Sequence, residues 1–85
     1  MNEIEKCVKF IKDNYYIYVN VDSDLRGYYK LLFNNDTIKI SFLSNHISYF
    51  YEIEVRINDV IIGSLPIDLD KLKEFMVTNE LIQRC

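Results

Sequence analysis

Between Tyr15 and Leu65 the chain alternates apolar and polar residues with a period of two, and the breaks between successive runs are short. Parallel neighbours need a crossover of about a dozen residues or more, which these breaks cannot supply. The runs therefore predict an antiparallel sheet of strands at residues 15–22, 28–33, 37–43, 47–57 and 60–65. In the first, Tyr15, Ile17, Val19 and Val21 are expected on one side and Tyr16, Tyr18, Asn20 and Asp22 on the other. Tyr29, Leu31 and Phe33, then Ile38, Ile40 and Phe42, are expected to point inward. In the fourth, Ile53, Val55 and Ile57 alternate with Glu52, Glu54 and Arg56.

The breaks carry turn chemistry. Asn34-Asn35-Asp36 and Asn58-Asp59 tolerate left-handed backbone and predict tight hairpins. Gly27, closing the Ser23–Gly27 turn, is free to adopt positive φ, and Gly63 marks a bulge or bend in the fifth strand.

A helix is predicted on each side of this sheet. Ile4, Cys7, Val8 and Ile11 form a stripe over residues 2–13, with Asn2 as N-cap, Glu3 and Glu5 in the first turn and Lys9 and Lys12 later. After Pro66, Asp68 is the expected N-cap of a second helix. Its stripe is Leu69, Leu72, Phe75 and Met76, continued by Leu81 and Ile82 across a stretch loosened by Thr78-Asn79. Both stripes need an apolar cover, and one face of the sheet offers it. The fold expected is a single α+β domain over residues 1–85: a two-layer sandwich, an antiparallel sheet of about five strands with both helices on one face.

Composition excludes most chemistry. The chain has 85 residues, a net charge of −3 and no apolar run near the roughly 20 residues of a membrane span. Acidic Glu3 and Glu5 argue against a signal peptide. A cytoplasmic protein is expected. Ile, Lys, Asn, Tyr and Phe supply nearly half of the residues and Ala is absent, the bias of an AT-rich genome such as that of a low-GC bacterium or its phage. Cys7 reads as a small core residue and Cys85 as a terminal thiol, not as a disulfide. His46 stands alone, so no standard zinc set can be built, and the two glycines make no phosphate loop. Glu52 and Glu54 neighbour each other on one strand face, with Arg56 next along. That arrangement reads as a solvated face, not an acid–base pair. No enzyme and no cofactor are expected.

What remains is surface. The sheet side away from the helices is expected to show Tyr16, Tyr18, Tyr28 and Phe50 with Lys30, Glu52, Glu54 and Arg56. Monomers seldom expose large apolar patches, and tyrosine is enriched at interfaces. Residues 1–43 hold six basic and six acidic side chains, while residues 44–85 hold four and seven. The acidic surplus disfavours direct nucleic-acid binding and favours a basic partner.

Several local features carry a resemblance. They are Asn2 opening a short acidic-then-basic helix, Ile11-Lys12-Asp13-Asn14-Tyr15 at its exit, the Asp22-Ser23-Asp24 loop, and Asn34-Asn35-Asp36 before a third strand. Over roughly residues 1–43 the chain resembles small acidic phage-encoded anti-CRISPR proteins that block type II effector nucleases. The resemblance implies an α+β fold and acidic or amide contacts from Asp36 and from Asp13 or Asn14, placed where the nuclease reads duplex DNA. It does not extend over the second half, and Thr37-Ile38-Lys39 departs from the pattern by putting a cation near Asp36.

The function expected is a non-catalytic inhibitor from a phage or mobile element, acting in the host cytoplasm on the basic nucleic-acid-binding surface of a CRISPR or other defence complex. Asp36, Asn35, Tyr16, Tyr18, Glu52, Glu54 and Asp59 are the candidate contacts. The alternative is a homodimeric structural or assembly protein that associates through its open sheet face. A single-strand nucleic-acid binder ranks below both on charge.

Overall fold

The first helix, α1 (Glu3–Asn14), starts where Asn2 caps it: Asn2 Oδ1 accepts the Glu5 N–H at 2.8 Å. This computed structural model describes residues 2–23, 26–44 and 51–82. Cys7, Phe10 and Ile11 are the buried face of α1, with Ile4 and Val8 half-buried. Phe10 thus joins the expected stripe, since Tyr15 packs edge-on against its ring. Tyr15 is not the first residue of a strand. It caps α1, is buried, and donates its hydroxyl to the Leu81 carbonyl at 2.8 Å. Burial pushes the Tyr15 phenol well above its usual range.

The strands are β1 (Tyr16–Ser23), β2 (Arg26–Phe33), β3 (Asp36–Ser44), β4 (Tyr51–Ile57) and β5 (Val60–Pro66). They form one antiparallel sheet in chain order, as the short breaks demand. The expected positions 47–50 of the fourth strand, with Phe50, lie outside the described residues, as do His46 and Cys85. Tight turns form at the Asn and Asp pairs expected to take left-handed backbone: φ is 50° and 69° at Asn34 and Asn35, and 49° and 68° at Asn58 and Asp59. Gly27 does not take positive φ; it is a β2 residue paired with Asp22 and Phe42.

Leu31, Ile38, Ile40, Ile53 and Val55 of the inner face are fully buried against Cys7, Ile11, Leu72 and Met76 of the helices. The β1 alternation fails in its second half. The register shifts between Ile17 and Val19, so Ile17 still pairs with buried Leu31, but Val19 pairs with Lys30 and Val21 with Tyr28. A bulge at Tyr18 therefore turns Val19 and Val21 to the outer side and Asn20 to the inner one, opposite to the period-two expectation. On β5 the shift skips Ile62, beside Gly63. Gly63 has another role: a Cβ there would lie 2.7 Å from the Phe75 ring, so its bare backbone seats the second helix.

That helix, α2 (Leu69–Thr78), begins at Asp68, whose carboxylate accepts the Lys71 N–H at 3.1 Å. Its first turn is also held from outside, because Glu3 Oε2 accepts the Leu69 N–H at 3.0 Å. Thr78-Asn79 does not loosen its middle but ends it. Glu80 takes φ 55°, its N–H reaches the Val77 carbonyl, and the Leu81 N–H reaches the Met76 carbonyl. This is the Schellman stop with Glu in the place glycine usually fills. Leu81 then turns back into the core, and among the described residues no helix is long and apolar enough to cross a membrane.

Candidate functional site

Two regions collect side chains that the core does not use. The first is the end of the sheet where both tight turns lie. The β3–β4 register, Ile38 opposite Ile57, sets the Asn34-Asn35 turn beside the Asn58-Asp59 turn. Asn58 joins them: its Nδ2 donates to Asp36 Oδ1 at 3.0 Å, its Oδ1 accepts the Thr37 N–H at 3.0 Å, and its own N–H meets the Thr37 carbonyl at 2.8 Å. Tyr16 pairs with Leu32 at this same end, and these residues are 73% and 50% exposed. The α1 exit, Asp13-Asn14, lies two residues before Tyr16 and so arrives there too.

Asn35, Asp36 and Asp59 are therefore set beside one another through Asn58, and Tyr16 lies at the same end of the sheet on β1, across Leu32 of β2. Asn58 completes the group. Its side-chain role was invisible in the sequence, because the signal is a contact between two hairpins 22 residues apart. None of the ion pairs among the described residues uses Asp36 or Asp59, whereas Asp13 is held by Lys9 at 2.7 Å. The turn end thus presents two carboxylates and several amides beside an exposed ring and an exposed leucine, on backbone fixed by hairpin geometry.

The second region is the sheet face without helices. Glu54 and Glu52 belong to it and are not gathered with Asp36. Glu54 is already neutralised, since Arg56 Nε lies 2.7 Å from its Oε1. Glu52 lies farther along β4, opposite Leu43 and Pro66. Tyr18, 41% exposed, sits at the β1 bulge between the two regions. Tyr28 is half-buried under Lys39, whose Nζ stands 4.5 Å from the ring centroid. The charges on this face are led by cations. Register places Lys30, Lys39 and Arg56 side by side across β2, β3 and β4, with Val19 and Ile61 at the two ends of the row. Lys30 makes no ion pair among the described residues.

Cys7 is buried, and desolvation, aided by the nearby Glu3 and Asp68 charges, pushes its thiol up to about 11. A neutral thiol is a poor nucleophile and a poor metal ligand. Among the described residues no three His, Cys, Asp or Glu side chains gather to hold a metal ion. A groove of about 420 Å³ between α1 and α2 is lined by Lys6, Lys9, Phe10, Asp13 and Lys73, among others. Glu3 and Asp13 neutralise two of its three lysines, and Lys73 lies 6.0 Å above the Phe10 ring. No protein-family model matches the chain, and no curated protein or solved structure matches it either.

Proposed function

We propose that the protein is a non-catalytic inhibitor, of phage or mobile-element origin, that docks its turn end on the basic nucleic-acid-binding surface of a CRISPR effector or a related defence complex in the host cytoplasm. The observation that carries this reading is the joining of the two hairpin turns through Asn58, which sets Asp36 and Asp59 together without lysine or arginine partners among the described residues. Carboxylates on a rigid end are suited to arginine and lysine side chains that otherwise hold phosphates. Tyr16 and Leu32 beside them supply apolar contact, the usual complement to charge at an interface. The resemblance of residues 1–43 to small anti-CRISPR proteins points the same way, because Asp36 and the α1 exit are the positions it names.

Electrostatic steering makes the association fast and salt-sensitive. The test is titration of the protein into CRISPR effector nucleases loaded with guide RNA, following DNA binding and cleavage at low and moderate salt. Inhibition is expected, weakened at least about ten-fold by the Asp36→Lys, Asp59→Lys double variant and little changed by Glu52→Lys. Absence of inhibition across effector types, or inhibition indifferent to the double variant, overturns the reading.

A further inference from the structure

The bare sheet face carries its own pattern, distinct from the turn end. The row across the strands reads Val19, Lys30, Lys39, Arg56, Ile61: apolar, three cations, apolar. Adjacent strands lie about 4.8 Å apart, so the three cations span about 10 Å and the row about 19 Å. An α-helix repeats a given face about every 5.4 Å. A helix laid across the strands therefore sets about one side chain over each strand, whereas an extended segment repeats its face only every 6.8 Å or so and falls out of step.

We propose that this face receives an amphipathic helix of another protein, one whose contacting side reads apolar, acidic, acidic, acidic, apolar at successive turns. Charge selects the occupant. Lys30, Lys39 and Arg56 face outward against Glu52 and Glu54, and Arg56 and Glu54 already satisfy each other. The excess charge is cationic and modest. It is too small, and too close to two carboxylates, to hold a phosphate backbone, which is bound through many basic contacts. The rim is aliphatic: Val21 and Ile61 are about two-fifths and just over half exposed, and such surface is best covered by apolar side chains. A second copy of the chain offers poor complementarity, because stacking this face on itself buries both copies' Lys30, which has no ion-pair partner among the described residues.

The probe is a synthetic amphipathic peptide with Leu, Glu, Glu, Glu and Leu on one helical face. Its controls are the same peptide with Lys for Glu and a single-stranded oligonucleotide. Binding is read by calorimetry and by NMR shifts, and sedimentation reports the state of the protein alone. The Glu peptide is expected to shift Lys30, Lys39, Arg56 and Ile61 resonances. Lys39→Glu and Lys30→Glu are each expected to weaken it at least about ten-fold, with the Lys peptide preferred by the double variant. Asp36→Lys is expected to leave this binding unchanged, which separates it from the function proposed for the turn end. Tighter binding of the oligonucleotide, a protein dimer that blocks the peptide, or equal binding of both peptides overturns the proposal.

Discussion

The two faces of the sheet are built from the same strands, yet they answer to different constraints. Ile38, Ile40, Val55 and Ile53 on the covered face are fully buried, and their volumes must match what α1 and α2 present. Lys39, Arg56 and Glu54, one residue away along the same strands, are only partly covered. The covered face is thus fixed by packing, which tolerates neither voids nor extra volume. The bare face is fixed by little that folding requires, so its ordered row of cations is free to serve recognition.

Adjacent residues test this contrast most severely. Ile40→Ala is expected to cost about 2–5 kcal/mol, most of the stability of so short a chain, whereas Lys39→Ala forfeits its contact with the Tyr28 ring, about 0.5–1 kcal/mol. Urea unfolding of the two variants measures the ratio, and equal costs would break the distinction between faces. Gly63→Val comes next. Its side chain collides with the Phe75 ring and is expected to cost about 1–3 kcal/mol, with partial recovery when Phe75→Leu is added. Such recovery would place the strain at the helix–sheet contact and not in the strand itself.

Smaller effects sharpen how the covered side is closed. Tyr15→Phe removes the hydroxyl that meets the Leu81 carbonyl and is expected to cost about 1–2 kcal/mol in thermal or urea unfolding. The smallest effect is the pH dependence of Glu3. The Leu69 N–H and then Lys6 favour its charged form and hold its pKa below the ordinary 4.5. Its contribution is therefore present above pH 4.5 and is lost as pH falls through the lowered value. The gap in urea midpoint between the protein and Glu3→Gln should be largest near neutrality and shrink below pH 4.5.

Local patterns were legible because they depend on near neighbours. The inward positions Ile38, Ile40 and Phe42, the caps Asn2 and Asp68, and the turns Asn34-Asn35 and Asn58-Asp59 all follow from side-chain alternation or single-residue backbone preference. Part of the bare face was within reach as well. A two-residue turn fixes the hairpin register, so counting outward from Asn34-Asn35 sets Lys30 opposite Lys39. Arg56 could not be added that way, because the longer connection before β4 does not set a register. The Tyr18 bulge was illegible for another reason: it leaves the run of β-branched and aromatic residues unbroken and appears only when β1 meets β2. Glu80 at positive φ has no local signal either, since glycine or asparagine is the usual residue there.

The sequence by itself determined the antiparallel α+β plan, through short breaks, alternation and capping residues that act over a few bonds. Only the tertiary structure decided which charged groups became neighbours. It drew Asp36 to Asn58 and set Arg56 beside Lys30 and Lys39 in one row. Those placements depend on strand register between distant segments, and register is chosen by the packing of the covered face, not by the residues that end up exposed on the other side.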